Sequence, residues 1–201
     1  MNSRTSDKSS DVSIVLAGSA GQGVQTVERL LTRIVKRSGY HVFATKEYMS
    51  RVRGGMNSTL IRISERPVNS FVDRIDIFVP LGEGALEHLA GRIGEKTVIL
   101  GEKDIFEGEL SSDSRAIDIP FTAIAEKIGD KVYSNTVAIG ALAGALKIDL
   151  EEATGTLREY FSDKDEEVVE RNIEALENGF SEAEGKGVAE SGEFDLSADP
   201  E

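Results

Sequence analysis

The sequence predicts an α/β domain of three layers, a mainly parallel sheet between helices, followed by acidic helices and a disordered acidic tail. Three observations carry that expectation. Val12–Ala17 is a short apolar run of the kind that forms a buried strand. It ends in the glycine-rich stretch Gly18–Gly23, after which Val24, Val27, Leu30, Leu31, Ile34 and Val35 recur at three- and four-residue steps, the spacing of an amphipathic helix closed by Ser38-Gly39. Tyr40–Ala44 then reads as a second strand, and strand, turn, helix and strand in this order make a βαβ unit, which implies a parallel sheet.

The remaining elements follow in chain order. Thr45–Met56 is a polar connection, and Ser58–Ser64 alternates like a half-exposed strand. Ile75–Leu81 and Thr97–Leu100 read as buried strands, with a helix between them over Glu83–Ile93 that Gly84 and Gly91 weaken. Ala116–Ile119 is a short strand, and Pro120 fits the first turn of the helix after it. Asn135 reads as the cap of a small-residue helix, Thr136–Leu146, whose Gly140 and Gly144 allow another element to come close. Asp149 reads as the cap of a helix reaching Phe161. A last helix starts near Lys164, with Val169, Ile173, Leu176 and Phe180 on its apolar face. Domain boundaries fall accordingly: residues 1–11 a disordered N-terminus, 12–180 the α/β domain, 181–201 an acidic tail or linker whose removal from residue 182 leaves the fold intact.

Composition narrows the function. With 39 % apolar residues in 201, the chain has material for one sizeable core. It contains no cysteine, so it can hold neither a thiolate iron–sulfur cluster nor a disulfide, nor use a thiol nucleophile. No apolar stretch approaches the roughly 20 residues of a membrane span, and no signal core follows the start; a cytoplasmic protein is expected. The net charge is −13, which disfavours nucleic acid. That charge lies in one region: residues 151–201 hold 17 acidic and 4 basic side chains, whereas residues 1–150 hold 19 of each.

Two features carry binding chemistry. A helix start presents unpaired N–H groups and a positive dipole end, and glycine lets an anion approach the backbone. Gly18-x-x-Gly21-x-Gly23 is therefore a candidate phosphate cradle, with Ala20 where the dinucleotide fingerprint places its middle glycine. The alternative is a tight turn with no ligand. The second feature is the loop Tyr48–Asn57. From Tyr48 to Ser64 there are three arginines, Arg51, Arg53 and Arg62, and no acid, a local positive field suited to phosphate or carboxylate. The alternative is a solvated loop whose arginines pair with Glu47, Glu65 or Asp73. His41 and His88 lack partners at metal spacing, and no catalytic constellation is evident.

The stretches Ala17–Thr26, Ser38–Phe43 and Tyr48–Gly55 followed by Leu60–Ser64 resemble the gamma domain of 2-oxoacid:ferredoxin oxidoreductases, in the form that opens fused chains of 2-oxoglutarate:acceptor oxidoreductase. Tyr133–Thr136 and Val168–Ile173 are similar to that family as well. Met56 stands where a histidine is expected in many relatives. The resemblance implies a Rossmann-like domain within an enzyme that oxidatively decarboxylates a 2-oxoacid such as pyruvate or 2-oxoglutarate on thiamine diphosphate, reduces ferredoxin and yields acyl-CoA. It implies that thiamine diphosphate, Mg²⁺ and iron–sulfur clusters reside in partner subunits, the alpha and beta components and a ferredoxin-like protein. For this chain it implies coenzyme A handling and assembly, with Gly18, Gly21, Gln22, Gly23, Thr26, Arg51, Arg53, Gly54 and Gly55 as the pocket. A nucleotide-binding oxidoreductase acting alone with NAD or flavin, and a purely structural subunit, are the competing readings.

Overall fold

The structure is a computed structural model that describes residues 11–48, 55–106, 115–192 and 196. Its centre is a six-stranded sheet of β1 (Asp11–Ser19), β2 (His41–Tyr48), β3 (Met56–Ser64), β4 (Ile77–Pro80), β5 (Val98–Gly101) and β6 (Arg115–Asp118), in the order β2-β3-β1-β4-β5-β6. β1, β4, β5 and β6 pair in parallel; β3 is antiparallel to both β1 and β2. β2 therefore points the same way as β1, as a βαβ unit requires, but β3 lies between them. The expected adjacency of the first two strands is corrected here: the pattern sets direction, and the nine-residue pairing of β3 with β1 takes the neighbouring place.

Helices cover both faces. α1 (Val24–Arg37), α4 (Phe121–Ile128), α5 (Ser134–Ala145), α6 (Leu150–Tyr160) and α7 (Glu166–Gly185) share one buried core with Val12, Ile14 and Leu16 of β1. The other face carries the smaller core, where α2 (Ala85–Leu89) and α3 (Lys103–Phe106) meet Val15 and Ala17. Alternate residues of β1 thus enter different cores, and its continuous apolar run Ile14–Ala17 follows from burial on both sides. α2 is shorter than expected: it starts after Gly84, which at φ +77° occupies its cap position, and ends at Leu89. Pro120 precedes α4 instead of opening it.

The largest correction concerns the C-terminus. The boundary at 180 falls inside α7, which continues to Gly185 and is followed by α8 (Val188–Ser191). Ala183 and Val188 are fully buried and Leu196 nearly so, so residues 181–192 belong to the domain. At the N-terminus Asp11 is already part of β1, and residues 1–10 lie outside the described residues.

The end of the sheet away from the glycine turn is held by charge. Arg62 on β3 contacts Asp11 at 2.5 Å, while Arg74 reaches Asp11 and lies 3.0 Å from Asp76. Asp76 also accepts the Ser13 N–H at 2.7 Å. Burial pushes its carboxyl above the ordinary range, against the opposing effects of the Ser13 N–H and Arg74. A carboxyl whose folded pKa exceeds its unfolded one favours the native state once protonated. Its contribution therefore rises as pH falls from the raised folded value toward the unfolded one. Urea denaturation at pH 7 and pH 4.5 is expected to show wild type gaining stability relative to Asp76→Asn at the lower pH. An identical pH response of the two proteins would contradict the assignment.

Candidate functional site

β1 runs straight into the glycine turn, and two of its glycines are required by the backbone. Gly21 has φ +93° and Gly23 φ +83°, a region where a side chain is strained. Gly23 is the cap position of α1, and no side chain caps the helix there; its first turn holds no acidic residue. The Thr26 and Val27 N–H groups bond to Gly23 O, which leaves those of Val24 and Gln25 without an intrahelical acceptor. Among the described residues, neither a side-chain cap nor an acidic residue in the first turn offsets the positive end of this 14-residue helix.

The register of β3 brings a second strand end to the same place. Ser19 pairs with Met56 and Gly18 with Asn57, while Tyr48 at the end of β2 pairs with the same Asn57. Between the turn and these strands lies a hollow of about 330 Å³, bounded by Gly21, Gly23, Thr26, Lys46, Asn57 and Thr59. Its one cation among the described residues is Lys46, whose ammonium is 3.0 Å from Glu28 of α1. Among the described residues beyond its chain neighbours nothing lies within 4 Å of a Cβ built on Gly21, which lines the hollow. The arrangement suits an anion held by backbone N–H groups, a helix dipole and one lysine.

The expected residues separate into three groups. Gly21, Gly23 and Thr26 line the hollow. Gly18 and Gln22 build the turn: the Gln22 side chain folds back to accept the Ser19 N–H at 2.5 Å, and it packs so tightly on Gly82 that a Cβ there would fall closer than 3.0 Å to it. Arg51, Arg53 and Gly54 lie outside the described residues, and Gly55, at φ +68°, leads into β3. Arg62 leaves the expected positive field, because the length of β3 carries it to the opposite end of the sheet and to Asp11. Glu47 and Asp73, offered as partners for the loop arginines, both face Arg92, at 3.4 Å and 3.7 Å.

Asn135 is not a helix cap. α5 starts at Ser134 without a side-chain cap, and the Asn135 amide lies against Gly23, where a Cβ would fall closer than 3.0 Å to it. Gly23 is therefore doubly specified, by its dihedral angle and by the helix start packed on it. Met56 is buried in the smaller core with Leu60 and Phe78. Lys46 and Asn135 were not legible as site residues, since strand register and helix packing bring them to the turn.

Comparison with known proteins bears on this geometry. Residues 13–182 match the model of the pyruvate ferredoxin/flavodoxin oxidoreductase family. The chain is similar to the ketoisovalerate oxidoreductase subunit VorA of Methanothermobacter marburgensis, 29 % identical over 172 residues that make up 84 % of this chain and 36 % of that one. It thus spans about a third of that relative. Among solved structures it resembles the 2-oxoglutarate:ferredoxin oxidoreductase from Magnetococcus marinus with 2-oxoglutarate, coenzyme A and succinyl-CoA bound, with a TM-score of 0.84 at 26 % identity over 96 % of this chain and 34 % of that one. The gamma subunit of a keto/oxoacid ferredoxin oxidoreductase from Geobacter sulfurreducens PCA shares the fold, with a TM-score of 0.71 at 21 % identity over 87 % of this chain and 99 % of that one.

Proposed function

Because the chain belongs to the pyruvate ferredoxin/flavodoxin oxidoreductase family, we propose that it is the gamma component of a cytoplasmic 2-oxoacid:ferredoxin oxidoreductase and supplies that complex with a binding site for the phosphates of coenzyme A. The observation that carries the reading is the bare glycine turn at the uncapped start of α1, facing a hollow with Lys46 on its rim. Coenzyme A is a fitting ligand because its pyrophosphate needs what the turn offers: backbone N–H donors, a positive dipole end and space where a side chain would intrude. Its presence in the Magnetococcus marinus enzyme supports the choice.

In this reading decarboxylation takes place on thiamine diphosphate held with Mg²⁺ by alpha and beta partner subunits, and electrons leave through iron–sulfur clusters to a ferredoxin-like protein. The chain has no cysteine with which to hold such a cluster. Its own contribution is to bind and orient the acyl acceptor and to take part in assembly. A second reading has a specific observation behind it: Gln22 and Asn135 are consumed in packing the turn, as a purely structural module would require.

Gly21→Val separates the two. Beyond its chain neighbours, a Cβ at this position meets no described residue within 4 Å, and in this reading valine would occupy the anion's approach and force a β-branched residue to positive φ. In the complex purified through a tag on this chain, the KM for coenzyme A is expected to rise at least tenfold. An unchanged KM in a folded, assembled Gly21→Val complex removes the pocket and leaves the structural reading.

A further inference from the structure

The two edges of the sheet are finished differently. β6 has four residues, and its Arg115 donates to the Ser191 carbonyl, which ties the end of α8 to that edge. β2 has eight, paired residue for residue with β3 from His41 to Tyr48 without a bulge, and no strand lies on its outer side among the described residues. An edge of this length presents a row of unpaired N–H and C=O groups, and proteins that stay single guard it with a lysine, a proline or a bulge. From His41 to Thr45 β2 has none of these. Lys46 follows, but its ammonium lies 3.0 Å from Glu28 on α1.

The side chains along this edge are open as well. Ala44 is exposed in the middle of the strand, and Phe43 and Thr45 are half-buried. Phe43 is opposite Arg62 on β3, and Arg62 donates to the Ser70 carbonyl at 3.1 Å. That bond holds the loop of Phe71 on the Phe43 side of the sheet. Phe71 is 55 % exposed, one of two large apolar side chains so placed among the described residues. A single exposed apolar group is ordinary, whereas an open strand edge near exposed aromatic surface marks a place where a further strand is added.

We propose that the added strand is β2 of a second copy of this chain, antiparallel to the first, which joins the two six-stranded sheets into one. A two-fold axis through such a pair has to pass through a residue that faces its own copy, because successive side chains point to opposite faces of the sheet. With Ala44 on the axis, Phe43 faces Thr45, Val42 faces Lys46 and His41 faces Glu47, each pair occurring twice. The strand's own sequence selects this occupant. The smallest side chain of β2 sits where the copies meet, and the Phe43–Thr45 pairs are of the aromatic and β-branched kind that stabilises sheets. His41 lies opposite the carboxylate of Glu47, which is 50 % exposed although Arg92 is 3.4 Å away, and no like charges are opposed. An axis at Phe43 or Thr45 sets a larger side chain against itself and loses the His41–Glu47 pairs. Net charge is no obstacle at this edge, since β2 carries one lysine and one acid while the acidic excess lies in residues 151–201. A two-fold contact closes on itself, so the product is a dimer and not a filament.

The chain contains no cysteine, so one introduced thiol reports contact without background. The Cα atoms of an opposed pair lie about 4.5–5.5 Å apart, inside the roughly 4.4–6.8 Å that a disulfide spans. Under mild oxidation Ala44→Cys is expected to give a covalent dimer of the full chain, whereas Gly155→Cys, at an open position of α6, gives none over the same time. Sedimentation equilibrium supplies a second readout. Wild type is expected to be dimeric. Ala44→Lys and Ala44→Asp each set like charges against each other across the axis; both are expected to lose the dimer with an unchanged far-ultraviolet circular dichroism spectrum, and their equimolar mixture to regain it. A monomeric wild type, charged variants that stay dimeric alone, a mixture that stays monomeric, or equal cross-linking of the two cysteine variants overturns the proposal. A strand of a different partner subunit on β2 would give the monomeric wild type, together with loss of that subunit from complexes purified through either charged variant, and this result too excludes the second copy.

Discussion

Replacing Gly140 or Gly179 by alanine is expected to lower the melting temperature by roughly 6–12 °C, a loss normally associated with removing a large core side chain. The cause is proximity. A Cβ on Gly140 would fall closer than 3.0 Å to the carbonyl oxygen of Leu176, and one on Gly179 would meet Val137 O and the Ala141 nitrogen, both within 3.1 Å. Both obstacles are backbone, which cannot turn aside as a flexible side chain would, so the helices must separate. α5 is buried on nearly every side, from Thr136 to Ala145, and separation would open the core where Ile139, Leu142, Ile173 and Leu176 pack. Overpacking of a tight core costs about 1–3 kcal/mol and occasionally more, and two rigid helices place these sites at the upper end. For a domain of this size each kcal/mol lowers the midpoint by roughly 2–4 °C. As a control, Gly155→Ala on α6 meets nothing within 4 Å and is expected to be neutral or stabilising. Thermal unfolding followed by circular dichroism compares the three; a Gly140→Ala midpoint equal to that of Gly155→Ala would refute the close crossing.

Which parts of this architecture could be read from the chain follows from where each signal resides. β1, β4 and β5 are buried on both faces, so their apolar runs announce them without help from the rest of the fold. The glycine turn is legible because positive φ demands glycine at Gly21 and Gly23. The place of β3 is not legible, because antiparallel pairing of Val12 with Ile63 and Leu16 with Thr59 is a tertiary choice that local pattern does not encode. Lys46 reaches the site through the pairing of β2 with β3, and Asn135 through the packing of α5 against the start of α1. The small residues of α5 did announce a close approach, though not that α7 makes it. The overlooked end of α7 did leave a trace: Val169, Ile173, Leu176, Phe180 and Ala183 continue the alternating four- and three-residue step past the expected boundary. Ala183 is small and stands between Glu182 and Glu184, so the acidic surroundings concealed it.

Removing residues 182–201 is expected to destabilise the domain strongly, the reverse of what an acidic tail predicts. Val188 is fully buried and Leu196 is 5 % exposed; burying side chains of this kind contributes about 1.5–3 kcal/mol each, as an upper estimate. The truncation also removes Ala183 from against Gly144, the Ser191 carbonyl that accepts from Arg115, and the Leu196 carbonyl that accepts from the Tyr40 hydroxyl. The summed loss is a large share of the roughly 5–15 kcal/mol that a typical domain possesses. Charge acts in the opposite direction. The deleted segment carries seven acidic residues and one lysine in a chain of net charge −13, so its loss relieves self-repulsion. Salt separates the two contributions, because exposed charges are screened within about 3 Å at 1 M ionic strength, whereas burial is not weakened by salt. The truncated protein should therefore melt well below the full chain at every salt concentration, with the larger gap at 1 M. Equal midpoints at 1 M would show that α8 and Leu196 contribute nothing to the core. Val188→Ala and Leu196→Ala, which keep every charge, should each reproduce part of the gap without its salt dependence.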